Sequence, residues 1–512
     1  MMRFRRLFAP AGAALLFAAG CASAQTSAVE TPENQAPIAA PAAEDATPGA
    51  VWREQARAEL QARLDRPRRE GRAKNVILFI ADGFNLSTIT ATRIFDGQSQ
   101  GKPGEAHVLE FERWGHAALV KTYAENAQVP DSAATSTAIQ AGIKTHVGAI
   151  SVYARQTTEA CGPDADVPDT ILDLAERRGL ATGLVATARL THATPAAAYA
   201  HAGSRNWESD AALPPDALEA GCTDLARQLI EYAEGDGVDL ALGGGIAAFL
   251  PDGEGGQRAD GRDLTAEWAG RGGEFVSDAA GFRALDPASD APVLGLFSRS
   301  HMAWEADRDP SAEPSLEEMT RFAVERLSRD EDGYYLMVEA GRVDHAHHAT
   351  NAYRALTDAQ AFVRAIEAAA AMTDPEETLI LVTADHGHVF NIAGYPRRGN
   401  PILGLVHPPA PDLSDDETPP SISRDGRPYT TLGYYNGPHQ RPVGGEGLTQ
   451  EQALDPDYRQ EAAVPLGSET HSGEDVILFA RGPWAHLADG VMEQHTIFHL
   501  MTHAYGWDRD AD

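Results

Sequence analysis

Short apolar runs recur along the chain at Val76–Ile80, Leu184–Ala186, Leu240–Leu242, Tyr334–Val338, Leu379–Val382 and Val476–Ala480. Runs without polar alternation are the pattern of strands buried on both faces. Segments with helical spacing lie between several of them, such as Asp169–Arg178 and Thr223–Ala233. Another begins at Ser315, where Glu318 completes a capping box. The alternation predicts an α/β fold: a mostly parallel central β-sheet flanked by helices on both faces. Trp52 to about Leu64 also has helical spacing. Two regions break the rhythm. Residues 251–310 are rich in Gly, Asp and Pro, and 391–470 carry Tyr-Pro, Gly-Asn-Pro, Pro-Pro-Ala-Pro and Gly-Pro segments. The second is read as a large insertion beside the functional site. No internal repeat is found.

The N-terminus adds a compartment. Arg3, Arg5 and Arg6 precede a mostly apolar run from Leu7 to Gly20, and Ala22-Ser23-Ala24 reads as a cleavage site. Residues 1–24 therefore have the pattern of a signal peptide, and the chain is expected to be exported, periplasmic or extracellular. Gly20-Cys21 offers lipoprotein attachment as an alternative, with Ala18 a poor match to that signal. Residues 25–50, rich in Ala, Pro, Thr and Glu, are expected to be a disordered tether, and 51–512 the catalytic domain. No other stretch is apolar enough to span a bilayer. Outside the signal two cysteines remain, Cys161 and Cys222. In an oxidising compartment they read as a disulfide, with two buried thiols as the alternative.

Charge narrows the function. The 512 residues carry 75 Asp+Glu against 42 Lys+Arg, a net −33, with no basic patch for nucleic acid. An acidic protein acting on an anionic substrate needs local positive charge, which metal ions supply.

The acids and histidines fall where metals can be held. Asp82 follows the first apolar run, Glu339 follows Tyr334–Val338, and Asp385-His386 follow Leu379–Val382. In an open α/β sheet, ligands bind beyond the carboxyl ends of the strands. A single acid there is usually a cap or turn former; three together, two of them near histidines, point to metal. In Asp344-His345-Ala346-His347-His348, Asp344 and His348 share a helix face and suit zinc. Asp131-Ser132 opens a run of small residues that reads as a helix starting near Ser132, a place that binds phosphate and favours an alkoxide. The bland alternative is an ordinary cap. Thr194 offers a hydroxyl for a hard cation and Arg205 a bidentate clamp for phosphate oxygens. His471 lies far off in sequence, just before the last apolar run.

These residues resemble the alkaline phosphatase family over about residues 50–485. The motifs are Ile80-Ala81-Asp82-Gly83, Pro130-Asp131-Ser132-Ala133, Tyr199-Ala200-His201, Arg205-Asn206-Trp207, Arg342-Val343-Asp344-His345, Thr383-Ala384-Asp385-His386 and Thr470-His471-Ser472-Gly473-Glu474-Asp475. The resemblance implies hydrolysis of phosphate monoesters through a covalent phosphoserine at Ser132, with two zinc ions and one magnesium. By it, Asp344, His348 and His471 would hold one zinc. Asp82, Asp385, His386 and Ser132 would hold the other. Asp82, Thr194 and Glu339 would hold magnesium. Arg205 would clamp the phosphate, oriented by Asp131.

His192 and His345 resemble the animal-type and some marine bacterial branches, and His192 leaves open whether the third metal is always magnesium. In that branch Cys161 and Cys222 fall on a disulfide. Gly394-Tyr395-Pro396, Tyr434-Tyr435-Asn436-Gly437-Pro438 and Asp457-Tyr458-Arg459-Gln460 resemble its crown insertion, and the helix near Trp52 its N-terminal arm. A homodimer is implied. The branch's calcium site is not, because Ser298 follows Phe297 where a glutamate is expected and Glu313 stands for an aspartate. The polar end Asp508-Arg509-Asp510-Ala511-Asp512 lacks the pattern of a lipid-anchor signal. The rival readings are a phosphodiesterase or sulfatase on the same scaffold, or a non-catalytic phosphate- or metal-binding protein. Ala165, where Cys161-Gly162-Pro163 would need an arginine, speaks against the sulfatase.

Overall fold

The computed structural model describes residues 48–507 except 163–164, 254, 411–417 and 442–446. The segment expected to be a signal peptide and nearly all of the expected tether lie outside the described residues. Helix α1, Pro48–Leu64, begins four residues before the expected Trp52 and forms a unit by itself. Residues 67–507 form the second unit.

All six apolar runs are strands of one ten-stranded sheet. Its members in chain order are β1 (Asn75–Ala81), β2 (His116–Lys121), β3 (Ala181–Arg189), β4 (Leu240–Gly244), β5 (Glu274–Val276), β6 (Val293–Leu296), β7 (Tyr334–Ala340), β8 (Thr378–Ala384), β14 (Val476–Arg481) and β15 (Val491–Glu493). The strands β9 to β13 that intervene in the chain are Gly387–His388, Phe390–Ile392, Leu432–Gly437, Ala462–Pro465 and His471–Ser472. The spatial order is β15-β2-β14-β8-β1-β7-β3-β4-β6-β5, and β14 alone runs against its neighbours. Four strands had no continuous apolar signature. β2 alternates buried and exposed positions, as a strand with one wet face does. The others have only three or four residues, and β5 and β6 lie inside the Gly- and Asp-rich 251–310 region.

Every residue of β7 and β8 is buried, as are six of the seven in β1. Each fully buried Leu, Ile, Val or Met there contributes roughly 1.5–3 kcal/mol, so the centre of the sheet is a rigid base. β1 lies between β7 and β8, with Ala81 level with Ala340 and Ala384, and Ile80 level with Glu339. That register brings the carboxyl ends of three strands to one edge. The helix expected at 169–178 is Ile171–Glu176, opened by a Thr170–Asp173 capping box, and the Ser315–Glu318 box opens Leu316–Leu327.

The 391–470 region, expected to be an insertion, carries a separate sheet, β10-β11-β12. Phe390, Leu432, Tyr434 and Ala462 pack there with Ile402, Leu403, Ala91, Ala352 and Leu356. Cys161 and Cys222 are joined in a disulfide.

Candidate active site

Ser132 is the first residue of helix α2, Ser132–Ala141, all ten residues of which are buried. Asp131 caps that helix by accepting the Ala134 N–H. Its carboxylate also accepts the Gly148 N–H and pairs with Arg205 at 3.0 Å. The other end of the Arg205 fork donates to His192 Nε2 at 2.9 Å. Cap, clamp and serine are thus parts of one hydrogen-bonded unit.

Beyond the strand ends, two groups of ligand-type atoms have the spacing of a small tetrahedral metal. Zinc held at roughly 2.0–2.1 Å by four ligands sets neighbouring ligand atoms about 3.3 Å apart. In the first group, Asp344 Oδ1 lies 3.3 Å from both His348 Nε2 and His471 Nε2, which are 3.2 Å from each other. Each of these imidazoles has its Nδ1 on a carbonyl, His348 on Glu469 O at 2.6 Å and His471 on Pro130 O at 2.9 Å. A carbonyl only accepts, so Nδ1 carries the proton and Nε2 turns its lone pair to the cluster.

In the second group, His386 Nε2 is 3.3 Å from Asp82 Oδ1, 3.3 Å from Asp385 Oδ2 and 3.1 Å from Ser132 Oγ. Ser132 Oγ is 3.5 Å from both Asp82 oxygens. Asp82, His192 and Glu339 gather as a third group. Beside it, Thr194 Oγ1 and both Glu339 oxygens are buried without a well-formed hydrogen bond.

The electrostatics favour cations at this edge. Burial, reinforced by Asp344, Asp385 and Glu339, pushes Asp82 well above the usual carboxylate range. Burial and neighbouring acids raise Asp385, and carry Glu339 up to about 8. Burial holds His386 far down, as a neutral ligand requires. Asp344 is the contrast: burial raises it, but His348, His388 and His471 together hold it well below the usual range. Dry, mutually repelling acids with orphaned oxygens are what bound metal ions would satisfy, so the residues present fit them.

Gly83 shows how tight the site is. Its φ is +75°, and a Cβ there would stand 2.4 Å from the His388 ring. Its N–H donates to Asp385 Oδ1 at 3.1 Å.

Every expected ligand and Ser132, Asp131 and Arg205 therefore meet at one sheet edge. His192 and His345 lie beside them, ring centres 5.5 Å apart. Burial, with Arg205, keeps His192 neutral, and burial brings His345 down to about 4 against the pull of Asp344. His201, part of a quoted motif, points elsewhere, to Ser151 O and Asp173. Three nearby residues were missed in the sequence. The His301 ring lies against that of His345, centres 4.0 Å apart and planes tilted by 52°. His388 donates to Asp344 at 2.8 Å and pairs with Glu469 at 2.6 Å. His388 and Glu469 had a signal, since each stands two residues from an expected ligand, His386 and His471, whereas His301 had none.

A family model described as alkaline phosphatase matches residues 73–507. The tissue-nonspecific alkaline phosphatase of Gallus gallus is 42% identical, over 88% of this chain and 88% of its own. That of Homo sapiens is 40% identical over the same shares. The alkaline phosphatase of Gadus morhua is 41% identical over 85% of this chain and 92% of its own. Among solved structures, the Thermus thermophilus alkaline phosphatase superposes with a TM-score of 0.61 at 24% identity, covering 87% of this chain and 94% of that one. The enzyme of the Antarctic bacterium TAB5 gives 0.57 at 25% identity, covering 86% and 99%. The chain belongs to the alkaline phosphatase family, whose members hydrolyse phosphate monoesters.

Proposed function

We propose that this chain cleaves phosphate monoesters in two displacements with Ser132 as nucleophile. In this reading Asp344, His348 and His471 hold one zinc, and Asp82, Asp385, His386 and Ser132 a second. Asp82, Thr194 and Glu339 hold magnesium. His192 lies with Asp82 and Glu339, so an ion that accepts nitrogen as well as oxygen also suits the third place. The observation that carries the reading is the 3.1–3.3 Å spacing of His386 Nε2 from Ser132 Oγ, Asp82 and Asp385. It supports Ser132 as both nucleophile and metal ligand.

When bound, the ions supply positive charge that stabilises the serine alkoxide and the charge on the transferring phosphoryl group. Ser132 Oγ attacks phosphorus in line, the ester P–O bond breaks, and the leaving alcohol takes up a proton. Water then attacks the phosphoserine, the P–Oγ bond breaks, and inorganic phosphate leaves as Ser132 regains its proton. Arg205 holds two phosphoryl oxygens while Asp131 fixes its plane. The N-terminal end of α2, where Ser132 sits, favours the same anionic oxygens.

The Cys161–Cys222 disulfide supports export to an oxidising compartment, as the signal-like 1–24 segment suggests. The insertion exposes Tyr395 and Tyr435 at 88% and 65%, with Ile422 and Leu466 also exposed. Such apolar surface supports a homodimer through the insertion, and light scattering of the purified chain tests it. The mechanism is tested with a chromogenic phosphate monoester at alkaline pH, using wild type and Ser132→Ala with and without zinc plus magnesium. Metal-dependent activity that vanishes in Ser132→Ala is the expected result. A metal-loaded wild type without activity would sink the reading and favour diesters, sulfate esters or a binding role.

A further inference from the structure

Glu469 has no exposed side-chain surface, although it lies in a loop at the end of the insertion. Its Oε1 accepts the Val389 N–H at 2.8 Å. Its Oε2 meets His388 Nδ1 at 2.6 Å, and His388 Nε2 reaches Asp344 Oδ1 at 2.8 Å. Its main chain grips His348 twice: Glu469 O accepts from His348 Nδ1 at 2.6 Å, and Glu469 N donates to His348 O at 3.1 Å. The chain then runs through Thr470, pinned by Asn436 with bonds of 2.9 and 3.0 Å, to His471.

One residue therefore connects to each member of the first ligand group. It reaches His348 directly, Asp344 through His388, and His471 through the chain. A buried carboxylate serving only to fill space would be costly. This one has every oxygen committed to a neighbour of the site. Such outer partners fix the orientation of the ligand and the nitrogen that carries the proton.

We propose that Glu469 is a positioning residue that sets Asp344 and His348 for the first metal, so that the end of the insertion governs retention of that metal alone. This deepens the metal assignment above and rests on it. Without the carboxylate, His388 loses its anchor and can turn away from Asp344, while the backbone grip on His348 remains. Loss of an outer partner lowers metal affinity about 10- to 100-fold.

The test strips the full chain of metal and titrates cobalt(II) against a competing chelator, following visible absorption. Wild type, Glu469→Gln, His388→Gln and the double variant are compared, with melting of the metal-free proteins. Wild type is expected to fill two spectrally distinct tight sites; if it takes up no cobalt, the metal assignment itself falls. Glu469→Gln is expected to lose about 10- to 100-fold at one site, with the other unchanged and metal-free melting preserved. The double variant is expected to be no worse than the worse single variant. Unchanged affinity at both sites overturns the positioning role. So does an equal loss at both accompanied by lower melting, which is what a merely structural Glu469 gives.

Discussion

Arg205 Nη1 donates to Asp131 Oδ2 at 3.0 Å across 74 residues of chain. The same carboxylate accepts the Ala134 N–H as the cap of the helix that presents Ser132. The clamp for phosphate and the helix carrying the nucleophile are therefore registered by one side chain, itself next to that nucleophile.

Freeing the clamp should weaken phosphate binding more than it weakens the fold. Asp131→Ala is expected to raise the inhibition constant for inorganic phosphate roughly five- to tenfold, about 1–1.4 kcal/mol. It should also lose about 1 kcal/mol of stability with the cap. Arg205→Ala should raise the inhibition constant further without the stability loss. Product-inhibition kinetics and melting of both variants check this.

Gly83 cannot accept a side chain. With φ at +75° and the His388 ring 2.4 Å from the Cβ position, Gly83→Ala must shift His388 away from Asp344 or move the end of β1. The expected result is a drop in kcat/KM of at least roughly tenfold, with lower bound metal by elemental analysis. A fully active, metal-replete Gly83→Ala enzyme would contradict the packing described.

Glu176 should make stability fall with rising pH. Burial, opposed by its bond from Thr182 and reinforced by Asp239, lifts its carboxyl to about 8. A raised folded value means that the folded state keeps a proton the unfolded chain has lost. Stability therefore declines between about pH 4.5 and about pH 8 and levels off above. Glu176→Gln removes this term. Relative to wild type it should gain on the order of 2–4 kcal/mol between pH 5 and pH 9, read from melting curves at each pH. A constant difference across that range would refute the assignment.

The disulfide closes a loop with its cysteines 61 residues apart. Cys161→Ser with Cys222→Ser is expected to cost up to about 4 kcal/mol. Reducing agent should lower the melting temperature of wild type and leave that of the double variant unmoved. Neither cysteine belongs to a metal-ligand group, so kcat at low temperature should change little.

How much of this was legible depended on what each residue type can do alone. β1, β7 and β8 were readable because strands buried on both faces must be apolar throughout. β2 was not, because its six residues alternate, and β5 and β6 are too short to stand out from the turn residues around them. The capping box at Ser315 was a local matter, set by residues three positions apart, whereas the one at Thr170 emerged only with the structure.

The site divides in the same way. The sequence by itself determined that acids and histidines follow three strands, that a serine opens a helix, and that the chain is of the alkaline phosphatase kind. Those choices are forced by side-chain chemistry and strand ends. Only the tertiary structure decided which atoms meet. The register of Ile80 with Glu339 and Ala81 with Ala384 aligns three strand ends. The return of the chain after the insertion brings His471 Nε2 within 3.2 Å of His348 Nε2. Glu469 and His388 gained their roles only there, because a buried carboxylate or imidazole takes its function from the partners that folding places against it.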